Sequence, residues 1–160
     1  FHAKMGKTFV IPEAKIHEET KLIPGTDGHK MSKSKNNTIN IFQGDKDLRK
    51  QIMGIKTDSV SLEMPKNWST CNCFAIYELI ASNKDVEAMK KNYESGGYGY
   101  GDAKQALFEL ICDKFIDERK KYNYYMAHPE EVEKILNSGA ARASVVANKV
   151  LSRVRKKLGY

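Results

Sequence analysis

Two lysines and two hydroxyls fall within five residues of this chain, Lys30-Met31-Ser32-Lys33-Ser34. They follow a turn written Pro24-Gly25-Thr26-Asp27-Gly28-His29. A proline and two glycines so close together stop a helix or strand, so the segment is predicted to be a loop. Lys30, Ser32, Lys33 and Ser34 offer ammonium, hydroxyl and free backbone N–H groups, the donors that hold polyphosphate oxygens. Lys35-Asn36-Asn37-Thr38 add further donors before the apolar Ile39 and Ile41. In nucleotidyl transfer the pyrophosphate leaving group gains negative charge as its bond to the α-phosphorus breaks. Cations held at that charge stabilise the transition state more than the ground state. Lys30 and Lys33 sit on one glycine-hinged loop, so both can close on a single triphosphate, and the hinge lets the loop reopen for product release. Met31 suits either an apolar anchor or an exposed spacer. Lysine–serine mixtures also make up solvated linkers, so it is the order of the residues, not their composition, that singles this loop out. No G-x-x-x-x-G-K-[ST] stands in the chain, which excludes an ordinary P-loop ATPase on the visible sequence.

The other chemistry-bearing residues are more scattered. Arg142, Lys149, Arg153 and Lys156 fall at steps that place them on one helix face, in a C-terminal stretch without an acid. Such a stripe neutralises nucleic-acid phosphates without reading sequence, and the same spacing serves a solvated cationic face. Cys71, Cys73 and Cys112 match neither a disulfide framework nor a metal-ligand spacing, so they read as buried thiols in a reducing compartment. Of His2, His17, His29 and His128, His29 alone adjoins the lysine loop, and it reads as a solvated loop residue. Tyr98-Gly99-Tyr100-Gly101 does not fit a dinucleotide fingerprint and reads as a tight turn into a helix capped by Asp102.

One hundred and sixty residues with a formal charge of +7 make one domain with a sizeable core, or a small domain plus part of another. The charge leans toward a polyanionic partner. No apolar run is long enough to span a bilayer and no signal-like segment opens the chain, so a cytoplasmic protein is expected. The chain starts at Phe1 without a methionine, which reads as a fragment or a processed product.

The elements that must position the loop are expected as follows. Phe1 to Lys7 reads as a helix end stopped near Gly6. Thr8-Phe9-Val10-Ile11 and Lys21-Leu22-Ile23 read as the last strands of an upstream sheet. From Asp45 the pattern turns helical, with Leu48, Ile52 and Ile55 on one face and Asp45 or Asp47 as the cap. Further helices are expected from about Ser69 to Ser82 and from Asp85 to Tyr93. Two long ones follow, one striped by Leu107, Ile111, Phe115, Tyr122 and Met126, the other by Val132, Ile135, Leu136, Ala143, Val146, Ala147, Val150, Val154 and Leu158. His128-Pro129 divides those two. The fold class expected is mainly α: a compact helical bundle over 45–160, after the end of an earlier, sheet-bearing domain over 1–44 that closes with the lysine loop.

Lys30-Met31-Ser32-Lys33-Ser34 resembles, letter for letter, the KMSKS signature of class I aminoacyl-tRNA synthetases. The chain as a whole resembles the C-terminal half of the bacterial tryptophanyl-tRNA synthetases. Phe9-x-Ile11-Pro12-Glu13, Thr57-Asp58-Ser59, Tyr93 with Gly97-Tyr98-Gly99, Lys104 and Leu107, and Gly139-Ala140 with Ala143 carry that likeness. The Thr-Asp-Ser and Gly-Tyr-Gly elements favour tryptophan over tyrosine. The resemblance implies a ligase that joins L-tryptophan to ATP as an adenylate with Mg2+ and passes it to tRNA(Trp). It implies a homodimer, with the helical domain meeting the anticodon. It makes residues 1–44 a remnant of a Rossmann-type domain, and it assigns catalysis to Lys30 and Lys33 and ATP binding to Lys30, Met31, Ser32, Lys33 and Ser34; the cationic face of Arg142, Lys149, Arg153 and Lys156 is then the candidate for tRNA contact. Iron–sulfur-bearing members of the family use more clustered cysteines than these, so no protein-bound metal is expected. The family's HIGH-type motif and tryptophan pocket have no counterpart in these residues, which implies a fragment without catalysis of its own. The alternative is a stand-alone tRNA-binding or regulatory module.

Overall fold

A computed structural model describes residues 1–16 and 22–160. The described residues are mainly helical. Helix α1 spans His2–Met5, α2 Asp45–Met53, α3 Asn72–Glu78, α4 Asn83–Ser95, α5 Tyr100–Lys114, α6 Ile116–Ala127 and α7 Pro129–Leu158. Short 3-10 turns cover Lys33–Lys35 and Trp68–Thr70.

The contacts gather the chain into two compact units, Phe1–Lys15 with Lys121–Tyr160, and Ile16–Lys120. The second holds the core. Leu48, Ile52 and Ile55 from α2 and its end pack with Phe74, Ile76 and Tyr77 of α3, Val86, Met89 and Tyr93 of α4, and Ala103, Leu107 and Ile111 of α5. The α2 stripe is the one read from the sequence, although Gly44, not an aspartate, is the N-cap, and Asp45 and Asp47 occupy the first turn. There they favour the positive end of the helix dipole. Ser82 caps α4, its Oγ accepting from the Asp85 N–H at 3.3 Å. Gly96 and Gly97, at φ of +73° and +74°, turn the chain out of that helix. At the start of α5, Asp102 Oδ2 accepts from the Gly99 N–H at 3.0 Å, so the expected carboxylate cap is present with Gly99 as the N-cap residue.

In the first unit α1 ends at Gly6, φ +72°, as expected. His2 Nε2 accepts from the Phe9 N–H at 2.9 Å, and its ring stacks on Phe9. Lys157, near the end of α7, donates to the carbonyls of Met5 and Lys7 at 3.0 and 2.9 Å.

Four expectations are corrected. Neither Thr8–Ile11 nor Leu22–Ile23 is a strand, and Lys21 lies outside the described residues, as does His17. A strand needs a neighbour to bond with, and the amides of Thr8 and Phe9 are turned instead onto the His2 ring. The helix expected over Ser69–Ser82 is shorter, because Trp68–Thr70 winds as a 3-10 turn and α3 ends at Glu78. The long helix expected through Met126 is interrupted at Phe115 (φ −107°, ψ 21°). The guanidinium of Arg119 lies beside that break, against Cys112 Sγ, the Gln43 carbonyl and the Asp45 carboxylate. Finally, the apolar stripe of α7 is not core: Ile135, Leu136 and Val146 are between 56% and 64% exposed. The bundle core is built from residues 48–111 and stops short of α7. Ile39 and Ile41 of the lysine-loop segment pack on the helical core, within the Ile16–Lys120 unit.

Buried and exposed apolar positions therefore respond differently to truncation. Leu107→Ala is expected to cost about 3 kcal/mol, the usual penalty for a buried leucine, whereas Val146→Ala stays within about 0.5 kcal/mol. Urea unfolding followed by circular dichroism measures both.

Candidate functional site

The lysine loop is built around one buried side chain. Asn37 is 2% exposed, and its amide reaches three partners. Its Oδ1 accepts from the Ser32 N–H at 2.7 Å, while its Nδ2 donates to Asp27 Oδ1 at 2.7 Å and to the Lys30 carbonyl at 3.2 Å. Its own carbonyl accepts from the Thr26 N–H at 2.9 Å. These bonds tie the turn before the lysines to the segment after them. A single antiparallel bridge, Pro24 with Lys30, closes the mouth of the turn. Inside it Gly25 donates to the His29 carbonyl at 2.7 Å and Gly28 to the Gly25 carbonyl at 3.0 Å.

Glycine is required at two points of this turn. A Cβ on Gly25 would lie 2.5 Å from the Asn37 amide. Gly28 has φ +83°, and a Cβ there would lie 2.6 Å from the Asn72 amide. Asn36, φ +53°, takes the left-handed conformation that asparagine tolerates, and so ends the Lys33–Lys35 turn.

This frame leaves the donors free. Lys30 and Lys33 are exposed, and among the described residues neither ammonium has an ion-pair or hydrogen-bond partner. Ser32 Oγ and Ser34 Oγ lie 2.9 Å apart. The five residues are thus brought together on one short loop, with its cations uncommitted. Met31 is half-buried and lines an apolar groove of about 320 Å³ with Ile23, Ile39, Ile41, Ile76 and Ile80, which makes it the apolar anchor rather than the spacer. A polar pocket of about 450 Å³ lies between Thr26, Asn36 and Thr38 on one side and α2 on the other, and residues 30–34 do not line it.

The loop is fastened to the helical core behind it. Lys56 donates its N–H to the Thr26 carbonyl at 2.8 Å, and Asn72 Nδ2 donates to the Lys56 carbonyl at 3.1 Å. The adjoining Thr57-Asp58-Ser59 segment is held in turn by Tyr100, whose hydroxyl donates to Asp58 Oδ1. That bond and the Val60 N–H hold the Asp58 carboxyl below the usual carboxylate range. Tyr98 and Tyr100 both pack their rings on the buried Tyr93, 5.8 and 6.2 Å between centroids, so the tyrosine–glycine turn is aromatic packing. Lys66, 4% exposed, donates to the carbonyls of Ser61, Leu62 and Met64 and so gathers the 61–66 loop around its ammonium.

The other sequence candidates resolve as follows. Arg142, Lys149, Arg153 and Lys156 all lie on α7 and are exposed, and Arg153 also lines a pocket with Lys7–Ile11. Cys71 and Cys73 are buried and Cys112 is partly so. Burial pushes the Cys73 thiol up to about 12, which leaves it protonated and inert at neutral pH. Sequence reasoning passed over Asn37 as a hinge of the fold, over Asp27, and over Lys66. The signal for the first two was present, since Asp and Asn in a Gly/Pro turn bond backbone amides locally. Nothing in the sequence marked Lys66 as buried.

Comparison with known proteins places these residues in context. Residues 1–115 match the family described as tRNA synthetases class I (W and Y). The chain is 42% identical over 154 residues to a tryptophan–tRNA ligase of Campylobacter jejuni strain RM1221, covering 96% of this chain and 48% of that relative. It is 43% identical over 159 residues to a tryptophan–tRNA ligase of Rhodopirellula baltica, covering 99% and 50%. The structure superposes on a crystal structure of tryptophanyl-tRNA synthetase from Campylobacter jejuni complexed with ADP and tryptophan, with a TM-score of 0.87 at 40% identity, over 99% of this chain and 50% of that one. The chain spans about half the length of the curated relatives it matches.

The Asn37 frame has two measurable consequences. Asn37→Ala leaves the Ser32 N–H and the Lys30 carbonyl without their buried partner, a loss of about 1–3 kcal/mol that is expected to fall on the loop rather than on the helices. Trypsin should then cut after Lys30 and Lys33 several-fold faster, with the far-ultraviolet circular dichroism unchanged. Asp27 gives the same frame a pH dependence. The Asn37 amide foremost, and the His29 N–H, hold its carboxyl below its ordinary value. Ionised Asp27 therefore supports the loop fully above the ordinary carboxylate pKa, and that support is lost as pH falls through Asp27's own lowered pKa. Amide exchange at Ser32, followed down that acid range, reads it out.

Proposed function

The chain belongs to the class I tRNA synthetases of the tryptophan and tyrosine group, and from that premise we propose that it supplies the signature loop and the tRNA-contacting helices of a tryptophan–tRNA ligase. The observation that carries the proposal is the loop at Lys30–Ser34, whose backbone is held by Asn37 while both of its ammonium groups stay unpaired.

In this reading the intact enzyme joins L-tryptophan to ATP as an adenylate and then passes the amino acid to tRNA(Trp). ATP, carrying Mg2+ on its own phosphates, supplies the activated bond. Lys30 and Lys33 meet the charge that builds on the leaving pyrophosphate, and a preorganised cation there lowers the barrier without moving at the moment of reaction. Ser32, Ser34 and the loop amides add neutral donors, and Met31 keeps the loop seated on the helical core. Among the described residues no group of three or more His, Cys, Asp or Glu side chains is gathered that can hold a metal ion, so no side chain here is assigned to Mg2+.

Residues 1–44 are then the end of a Rossmann-type nucleotide-binding domain, and residues 45–160 the anticodon-binding domain. No HIGH-type motif stands in the 160-residue sequence, and in this reading the stretch by itself forms no adenylate. The intact protein works as a homodimer in the cytoplasm, with Arg142, Lys149, Arg153 and Lys156 on α7 meeting tRNA phosphates. Among the described residues no helix is long and apolar enough to cross a membrane.

The two surfaces should separate by mutation in the intact protein. Lys33→Ala is expected to cut tryptophan-dependent ATP–pyrophosphate exchange about 100-fold, the cost of one such donor in other enzymes, while tRNA affinity holds. Arg142→Ala with Lys149→Ala should weaken tRNA binding and flatten its salt dependence by up to about one unit of slope per lost phosphate contact, while exchange holds. Equal losses in both assays for both variants would undo the assignment. Exchange by the 160-residue chain alone would undo the claim that it lacks catalysis.

A further inference from the structure

Two of the sequence motifs, Thr57-Asp58-Ser59 and Tyr98-Gly99-Tyr100-Gly101, supply none of the loop's donors. They are 42 residues apart, and one bond joins them, from the Tyr100 hydroxyl to Asp58 Oδ1. The glycine turn places Tyr100 at the first position of α5, where the Asp102 cap on Gly99 fixes the start of the helix. Its ring is set from two directions, edge-on to the buried Tyr93 with centroids 6.2 Å apart, and 5.5 Å from the Lys66 ammonium. Asp58 Oδ1 also accepts from the Val60 N–H at 3.1 Å. Burial and the neighbouring carboxylate push the Tyr100 hydroxyl up, while the bond holds the Asp58 carboxyl down. At neutral pH the proton therefore stays on the tyrosine.

What this bond holds is a segment that close packing does not hold. A crevice of about 330 Å³ is lined by Lys56, Thr57 and Asp58 together with Thr70, Cys71, Asn72 and Tyr100, and Lys56 and Asp58 are exposed. With open space beside it, the segment is placed by hydrogen bonds rather than by apolar contact. Only Thr57 separates Asp58 from Lys56, whose N–H donates to the Thr26 carbonyl at 2.8 Å. The Thr26 N–H donates in turn to the Asn37 carbonyl at 2.9 Å. Thr26 is thus bonded on one side to the frame that carries the lysines and on the other to residue 56. Asn72 steadies the same joint. Its Nδ2 donates to the Lys56 carbonyl at 3.1 Å, and its amide stands 2.6 Å from where a Cβ on Gly28 would lie. A continuous path of bonds therefore runs from the start of α5, through Asp58, Lys56 and Thr26, to the loop.

We propose that Tyr100 and Asp58 are positioning residues of the lysine loop: their bond sets segment 56–58, and through the Lys56–Thr26 bond it sets the aim of Lys30 and Lys33. Neither residue touches a phosphate. The proposal rests on the reading of the loop as an ATP-phosphate site, and it gives the Thr-Asp-Ser and tyrosine–glycine elements a part in that reaction. Cations that act on charge developing in the transition state must be aimed in advance. A loosened frame therefore shows in kcat rather than in KM for ATP.

Tryptophan-dependent ATP–pyrophosphate exchange by the intact protein tests this with Tyr100→Phe, Asp58→Ala, the double variant and Asp58→Asn, alongside the thermal unfolding of each. Tyr100→Phe keeps the ring on Tyr93 and removes the hydroxyl alone. Tyr100→Phe and Asp58→Ala should each lower kcat about tenfold, short of the roughly 100-fold that a 1 Å misplacement costs, with KM for ATP near that of the wild type. The double variant should lose no more than Asp58→Ala alone, as two ends of one bond do. Asp58→Asn keeps an acceptor oxygen and should recover most of the rate. A lowered unfolding midpoint with unchanged kcat would make the pair a stabilising contact only and overturn the proposal. So would losses that multiply in the double variant, or a raised KM at unchanged kcat, which marks uniform binding instead. Lys33→Ala separates the proposal from the reading beneath it. Exchange at the wild-type rate in Lys33→Ala would overturn the ATP-phosphate assignment and the proposal with it. A slow Lys33→Ala beside normal Tyr100→Phe and Asp58→Ala would overturn the positioning role alone.

Discussion

The buried amide of Asn37 is the constraint on which the lysine loop depends. A loop of this composition has little apolar surface to bury, so hydrophobic packing cannot give it one shape. Instead one neutral side chain takes up the Ser32 amide and the Lys30 carbonyl after the turn and the Asp27 carboxylate within it. Each bond contributes only about 0.5–1.5 kcal/mol net. Together, however, they over-determine the backbone, because losing any one strands a buried polar group. Gly25 makes the arrangement possible, since any side chain there would occupy the position of the amide.

What could be read ahead of the structure divides along physical lines. The loop was readable because Pro24, Gly25 and Gly28 act locally, and so was α2, whose stripe of Leu48 and Ile52 is a local period with a local meaning. The aspartate at the start of α5 was readable for the same reason. Asn37 and Asp27 were readable only as turn residues that bond backbone locally, and Lys66 not at all. Their roles are set by what lies across the turn, and a single sequence does not reveal which polar residue is folded inward. The strands expected at Thr8–Ile11 and Leu22–Ile23 failed in the opposite way. Their β-prone side chains are real, but a strand is a property of a pair: the amides of Thr8 and Phe9 turn onto His2, and next to Ile23 the pairing amounts to the single Pro24–Lys30 bridge.

Helix α7 makes the same distinction at larger scale. Its apolar positions recur at helical spacing over 30 residues, and Pro129 with Glu130 and Glu131 start it as expected. The period gives the helix but not its burial. Leu136 and Val146 stay largely in solvent here, while Leu107 of α5, from an equally plain stripe, is completely enclosed. Amphipathic pattern therefore states that a face is available for cover. Whether it is covered depends on neighbours that the pattern does not contain.

The way charge is handled at the lysine loop is consistent with a role in binding polyanions. The Ile16–Lys120 unit uses its cations in two distinct manners. Lys66 is buried against three carbonyls, and Arg119 is spent on Gln43 and Asp45, so both serve the fold. Lys30 and Lys33 do neither, because the work of holding the backbone has passed to the uncharged Asn37. Had the loop been fixed by a lysine–carboxylate pair, a triphosphate would have to displace the carboxylate, and each gain in affinity would be offset by a loss of loop order. Holding the frame through the Asn37 amide, with Asp27 as its charged partner in place of a lysine, decouples the two. The cations stay solvated and uncommitted, which is what the proposed triphosphate site requires of them, and the backbone that carries them is held without their help.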